Sequence, residues 1–382
     1  MHRLVALAIG GGDPFVAELQ RAWNAGDAVM PIDQRLPAAA QQSLVERMGA
    51  MVVVDSAGRH RRRGGWSVEP GDALVMATSG STGEPKGVVL THAAVEANAM
   101  ATSAALAVDP STDRWLACLP LSHVGGLAVA VRALLTDTRL DVQDGFAADA
   151  VDAAARRGAT LTALVPTALS RIDASAFRTI LLGGSAMPSQ RPANTVATYG
   201  MTETFSGVVY EGRPLDGVEL RIVDGEIQLR CPMLARCYRD GTDPRTADGW
   251  FPTGDAGAVA DDGRLTVFGR LDDMIVSGGQ NVWPVAVERI LAEMPNIAEA
   301  AVVGRPDPEW GQAVTAVVVP ADSEQPPDLA ELREAVKAQL PAYCAPRALQ
   351  LVTRLPRTPL GKLQRRRLSH PQSGKQPHES GC

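Results

Sequence analysis

Thr78–Gly87 reads TSGSTGEPKG: three glycines, two serines, two threonines and one lysine, directly after the apolar run ALVMA at Ala73–Ala77. A strand running into such a loop exposes backbone N–H groups and hydroxyls, both good donors to phosphate oxygens, and glycine lets the backbone approach closely. Lys86 adds a point charge suited to a polyphosphate. The spacing is not that of a Walker A loop, G-x-x-x-x-G-K-[ST], because Lys86 is followed by Gly87 and no hydroxyl stands where it would hold Mg²⁺. A solvated Gly/Ser turn is the plain alternative. Its weakness is that this composition, with one lysine, follows a strand.

Outward from the loop, short apolar runs alternate with Ala-rich helical patterns up to about residue 200. Strands are expected at Met51–Val54, Val75–Ala77, Val88–Leu90, Trp115–Leu119, Leu161–Val165 and Thr179–Leu182. Helices are expected at His92–Leu106, with Thr91 as N-cap, at Gly126–Leu135 and at Ala147–Arg157. Such alternation implies an α/β fold, a parallel-rich sheet covered by helices. From Val208 to Leu229 the texture changes to short alternating strands broken at Asp216-Gly217 and Asp224-Gly225. With a strand at Arg264–Phe268, the stretch 205–270 reads as a small β-barrel-like subdomain. A third texture, helix at Pro284, strands at Ala300–Val303 and Ala313–Val319, helix at Leu329–Leu340, reads as a small α+β domain. The expected domains are therefore 1–270 and 271–368, followed by a polar, Pro/Gly-rich tail at 369–382 that reads as disordered.

Bulk properties exclude several classes. The chain has 382 residues, a net charge of −6 and 45% hydrophobic residues. A negative chain argues against nucleic-acid binding. The basic cluster RHRRRGG at Arg59–Gly65 reads as a solvated turn. Five scattered cysteines without C-x-x-C and six unclustered histidines argue against a disulfide framework or a zinc site. No apolar run is long enough to span a bilayer, and the N-terminus lacks a signal-peptide cleavage pattern, so a cytoplasmic location is expected.

At this point the sequence resembles the adenylate-forming superfamily, which includes acyl-CoA synthetases, peptide-synthetase adenylation domains and luciferases. TSGSTGEPKG looks like its phosphate loop. In the family's order there follow LPLSHVGG (Leu119–Gly126), LLGGSAMP (Leu181–Pro188), YGMTET (Tyr199–Thr204), GWFPTGDAG (Gly249–Gly257), GRLDDMIVSGGQNVWP (Gly269–Pro284) and PRTPLGKLQRR (Pro356–Arg366).

The resemblance implies roles. ATP would be held by Thr78, Ser79, Gly80, Ser81, Thr82, Gly83 and Lys86 at its phosphates. Gly183, Gly184, Ser185, Tyr199, Gly200 and Met201 would lie at its adenine, and Asp255 and Arg270 at its ribose. Thr202 would donate to a phosphate and Glu203 would hold Mg²⁺, a hard ion that favours carboxylate and phosphate oxygens. Lys362 would be the catalytic lysine, neutralising charge where the acid's oxygen meets the α-phosphate. Asp272 would be the hinge of the smaller domain, and Gly278 and Gly279 would line a thiol channel after that domain turns. His123, Ser206 and Gly207 would border the acid.

The implied activity is that of an ATP-dependent, AMP-forming acyl-CoA ligase with CoA as cosubstrate. No carboxylate near LSHVGG is placed to hold an ammonium group, which disfavours amino acids. The loop begins at residue 78, whereas relatives commonly carry a longer preceding segment. This compact form, with GGSAMP and ATYGMTET, resembles the o-succinylbenzoate–CoA ligases of menaquinone synthesis. A second carboxylate on such an acid wants a cationic or hydrogen-bonding partner, for which Arg132 and His123 are candidates. A ligase for another aryl or short-chain acid, and a non-catalytic nucleotide-binding scaffold, are the alternatives. The partners implied are small molecules, without nucleic acid or membrane insertion; a homodimer is compatible with this reading.

Overall fold

The structure, a computed structural model, describes residues 1–79, 85–185, 187–188, 190–357 and 363–369. The chain divides into two compact units, Met1–Thr253 with Ala258–Thr266, and Gly254–Gly257 with the chain from Val267 onward.

The first unit begins with β1 (Leu4–Leu7), α1 (Asp13–Asn24), β2 (Ala28–Pro31), α2 (Ala38–Arg47), β3 (Val52–Asp55), β4 (Gly58–Arg61), β5 (Asp72–Ser79) and β6 (Pro85–Thr91). Continuous apolar runs such as LVAL (Leu4–Leu7) and VVV (Val52–Val54) are what strands buried on both faces require. With β16 (Cys237–Tyr238) these strands make a seven-stranded sheet of order β16-β6-β5-β2-β1-β3-β4. Its centre is parallel, while β3–β4, β5–β6 and β6–β16 are antiparallel.

A second seven-stranded sheet, order β13-β12-β11-β10-β9-β7-β8, takes β7 (Arg114–Ala117), β8 (Arg139–Val142), β9 (Leu161–Leu164), β10 (Thr179–Leu182), β11 (Thr195–Gly200), β12 (Gly207–Tyr210) and β13 (Arg213–Pro214). It is parallel from β8 to β11 and antiparallel beyond.

Two helices tie the sheets together. α3 (His92–Ala105) touches β5 and β6 of one sheet and β12 of the other, and α4 (Val124–Leu135) lies on β7, β8 and β9. Every residue from Gly126 to Ala133 is buried, as expected for a helix apolar on all sides. At its start Gly126 sits against backbone: an added Cβ would stand 2.3 Å from the Leu119 carbonyl oxygen. α3 is capped as its sequence implies, the Thr91 hydroxyl accepting from Ala94 N–H at 3.1 Å. Replacing Thr91 by Ala removes that acceptor and is expected to cost about 1 kcal/mol, read as a lowered urea midpoint with an unchanged slope.

The remaining helices of this unit are α5 (Ala148–Arg156) and the single turn α6 (Pro166–Leu169). The strands β14 (Glu219–Val223) and β15 (Glu226–Arg230) form a hairpin closed at Asp224-Gly225.

Two expectations change. Not all of the stretch 205–270 falls in one small subdomain: β12 and β13 extend the second sheet and β16 the first, while β14 and β15 belong to a separate four-stranded sheet of order β14-β15-β17-β18, with β17 at Phe251–Val259 and β18 at Leu265–Arg270, where Thr253 donates to Ile227 O at 2.7 Å. Alternation marks these segments as half-buried strands but carries no information about their partners. The basic cluster at Arg59–Gly65 begins in the edge strand β4 rather than in a turn. Charged side chains on an outermost strand oppose pairing with a second chain.

The second unit is built on β19 (Ile275–Ser277), β20 (Gln280–Val282), β21 (Ile297–Asp307), β22 (Gly311–Pro320) and β23 (Ala348–Leu351), after β17 (Phe251–Val259) and β18 (Leu265–Arg270) have carried the chain across. β21 and β22 pair antiparallel and β23 joins β22 in parallel. α7 (Pro284–Leu291) and α8 (Leu329–Lys337) bury Val287, Ile290, Leu291, Leu332 and Val336 in one core with Val302, Val314 and Val318. Pro284 opens α7, where its missing N–H costs nothing. The tail beyond Ser369 lies outside the described residues.

Candidate active site

The phosphate-loop hairpin is in place on both sides of its tip. Thr78 stands opposite Lys86 and Ser79 opposite Pro85 in the β5–β6 register, and the Thr78 hydroxyl donates to Lys86 O at 3.4 Å. Gly80, Ser81, Thr82 and Gly83 lie outside the described residues, as does Lys362.

Glu203 and Lys86 meet at a residue the motifs do not contain. Glu203 lies in a 3-10 turn, Thr202–Thr204, whose backbone is pinned by Ala235 N–H donating to Glu203 O at 2.7 Å. Tyr238 of β16 donates its hydroxyl to Glu203 Oε1 at 3.1 Å, and Lys86 Nζ stands over the Tyr238 ring at 5.0 Å from its centroid. Burial, reinforced by the Glu203 charge, pushes the Tyr238 hydroxyl well above its ordinary pKa, which keeps it a donor. Thus one aromatic side chain links the phosphate-loop lysine to the acidic turn. Nothing near Tyr238 in sequence announces this, because the contact is made by strand addition to β6.

The turn itself is held from within. Thr204 Oγ1 donates to Ser206 O at 2.7 Å, and Met201 N–H donates to Thr204 Oγ1 at 3.0 Å. Phe205 follows with φ +62, an uncommon region for a non-glycine residue, and its side chain is completely buried. Tyr199 and Gly200 end β11; Gly207 begins β12 beside them, with Ser206 just before it. Gly207 O accepts from the buried Asn98 of α3 at 3.1 Å. Gly183, where β10 ends, packs so closely that an added Cβ would lie 2.6 Å from Thr198 Oγ1; Gly184 (φ +80) and Ser185 follow it.

A metal ion would find one carboxylate here. Among the described residues there is no cluster of three or more metal-ligating side chains. Mg²⁺ is characteristically bound by one or two carboxylates plus substrate phosphates rather than by a protein cage. Glu203 is the residue that fits.

His123 precedes α4. Its Nε2 lies 3.1 Å from Arg35 Nη2 and 3.4 Å from Asp33 Oδ2. Arg35 in turn forks onto Asp33, Nε to Oδ1 at 2.9 Å and Nη2 to Oδ2 at 2.8 Å. Burial lowers the His123 pKa, Asp33 opposes that and Arg35 adds to it. Arg132 behaves differently from expectation. It is 1% exposed, its guanidinium stacked 4.9 Å from the Trp115 ring centroid inside the core, where it is sealed from any ligand in solution.

In the second unit Arg270 Nη1 pairs with Asp255 Oδ1 at 3.1 Å, so the two ribose candidates are brought together. Asp272 sits in the 3-10 turn Leu271–Asp273. Gly278 (φ +57) and Gly279 (φ +76) form the tight β19–β20 turn, which demands positive φ at both positions. A Cβ on Gly278 would also strike the Trp310 ring at 2.8 Å.

Comparison with known proteins places the chain. The family described as AMP-binding enzyme matches residues 66–238, and its C-terminal domain matches residues 286–362. The chain belongs to this family of AMP-binding enzymes. It is 39% identical over 331 residues to a probable 2-succinylbenzoate–CoA ligase of Mycobacterium tuberculosis (strain ATCC 25618 / H37Rv), covering 79% of this chain and 85% of that protein. It is 35% identical to an indoleacetate–CoA ligase of Aromatoleum aromaticum, covering 76% of this chain and 66% of that protein. In structure it is similar to the o-succinylbenzoate CoA synthetase of Bacillus subtilis in complex with its acyl-adenylate intermediate, with TM-score 0.86 and 26% identity, covering 98% of this chain and 89% of the other. The same Bacillus protein has also been solved with ATP and magnesium ion. Among the described residues no helix is long and apolar enough to cross a membrane.

Proposed function

We propose that this protein is an AMP-forming acid–thiol ligase that converts 2-succinylbenzoate, ATP and CoA to the CoA thioester. The observation that carries the reading is the approach of Lys86 and Glu203 to one side chain, Tyr238, in a chain with 39% identity to a ligase of that name.

In the first half-reaction an oxygen of the acid's carboxylate attacks the α-phosphorus of ATP, the bond from that phosphorus to the β-bridging oxygen breaks, and pyrophosphate leaves. Lys86 and the donors of the Thr78–Gly87 loop hold the β- and γ-phosphates. Mg²⁺, held by Glu203 and the phosphates, would supply charge neutralisation there. Tyr238 orients Glu203 by its hydroxyl, and Thr202 donates to the α-phosphate. Asp255, steered by Arg270, accepts from the ribose hydroxyls, two carboxylate oxygens matching two donors. Lys362 bridges the attacking and phosphoryl oxygens as charge develops. In the second half-reaction the thiolate of CoA attacks the acyl carbon and AMP departs; the unit that begins near Asp272 turns so that Gly278 and Gly279 line the thiol's path.

A ligase for a different aryl acid is the second reading, favoured by the similarity to an indoleacetate–CoA ligase. Carboxylate-dependent AMP formation across an acid panel decides between them. The expected result is the highest kcat/KM with 2-succinylbenzoate, and a higher value with indoleacetate or benzoate would replace the assignment.

A further inference from the structure

The short segment Ile32–Leu36 carries no part of the recognised motifs, yet it delivers two charged side chains to His123. Asp33 is only 7% exposed at its side chain, while Arg35 keeps 49% exposure. Asp33 accepts both the backbone N–H and the Nε of Arg35 on Oδ1, and Nη2 on Oδ2. This grip leaves the guanidinium plane fixed, with Nη2 shared between Asp33 and His123 Nε2 at 3.1 Å.

A guanidinium only donates hydrogen bonds, so the nitrogen that receives Nη2 must offer a lone pair. The proton of a neutral His123 then belongs on Nδ1. The competing pairing, an Nε2–H donated to Asp33 Oδ2, is longer at 3.4 Å, and it would set the Nε2–H against the Arg35 Nη2–H at 3.1 Å, two donors facing each other. The charged groups facing the ring are these two, one of each sign.

We propose that Arg35, anchored by Asp33, is a positioning residue that fixes His123 as the neutral Nδ1–H form, so that His123 presents a donor to the carboxylic acid being activated. The inference rests on the reading of this chain as an acyl-adenylate-forming ligase whose acid lies beside His123.

The test pairs two measurements on the full chain. The first is an NMR titration of the histidine ring nitrogens, with His123 assigned by loss of its signal in His123→Gln. The second is the pH profile of kcat/KM for acid-dependent AMP formation. In Arg35→Met, Asp33 remains as the sole neighbouring charge and raises the His123 pKa. Activity requires the neutral ring, so the acid limb moves to higher pH, and KM for the acid rises about tenfold, the loss of one hydrogen bond, while kcat changes little. In Asp33→Asn the carboxylate that favours the imidazolium is gone, and the limb moves to lower pH. Arg35→Lys keeps the charge without the fork and is expected to recover part of the loss in KM. Opposite displacements in the two variants, seen in both measurements, support the proposal. A His123 pKa unchanged in both variants overturns the positioning by Arg35. A pKa that moves while the rate profile stays still overturns the role of His123 toward the acid. A wild-type protein that forms no AMP with any acid defeats the ligase reading, and with it that role, while the NMR titration still judges the positioning on its own.

Discussion

Replacing Lys362 by Ala is expected to slow adenylation by about 10²–10³-fold, the cost of removing one preorganised donor from a site of developing negative charge. The ground state binds little differently, because the lysine's strongest interaction arises only as the acid's oxygen closes on phosphorus; kcat therefore falls more than KM rises. Thiolation of preformed acyl-adenylate should retain most of its rate, since the phosphorus–oxygen bond is already made. Rapid-quench measurement of AMP and of thioester, each started from its own substrates, separates the two half-reactions. Equal losses in both would contradict the assignment of Lys362 to the first step.

The second large effect is on stability. Arg236 forks onto Asp72, with Nε and Nη2 each 2.9 Å from a carboxylate oxygen, and its Nη1 reaches Glu69 at 2.8 Å. The Asp72 side chain is 1% exposed, whereas that of Arg236 is 31% exposed. Arg236→Met leaves the buried carboxylate with the Glu69 N–H and without its cation. The expected cost is about 3 kcal/mol, the lower end of the range for breaking one side of a buried pair, because water reaches the arginine's side of it. The double variant Asp72→Asn/Arg236→Met should recover much of that loss, since an amide is far cheaper to leave in a partly dry site than a charge. Chemical denaturation followed by tryptophan fluorescence reads both. The same clamp anchors the strand that carries Tyr238, so the single variant should also raise KM for ATP at temperatures where it remains folded. A variant with wild-type stability would show that Asp72 is satisfied without Arg236.

What the sequence disclosed, and what it withheld, follows from the range of the interactions involved. Thr91 could be recognised as a cap because its partner, Ala94, is three residues away. The parallel strands β3, β7, β9 and β10 announced themselves as apolar runs because they are largely buried on both faces, whereas β1, β2, β8 and β11 were not singled out. The hairpin at Asp224-Gly225 was legible from its turn residues. By contrast, Cys237–Tyr238 is too short to show any periodicity, and its pairing with Val88 and Val89 joins distant parts of the chain. Its place in the first sheet, outside the small sheet formed by the rest of 219–270, carries no local signal for that reason. Tyr238, Asp33 and Arg35 escaped notice likewise: each reaches the site through tertiary packing, and only the motif residues carried a local signal. Arg132 illustrates the converse, a charge that looked available on paper and is sealed beneath Trp115.

The placement of β16 on the outer side of β6 has a consequence for biosynthesis. A nascent chain that has emerged only as far as the second sheet carries a phosphate-loop hairpin with a bare outer edge, and long-range strand pairing of this kind is slow to form. Until Tyr238 leaves the ribosome, that edge is an open template for a neighbouring polypeptide. Fragments ending before residue 237 should therefore self-associate on expression, whereas those ending beyond 253 should remain dispersed.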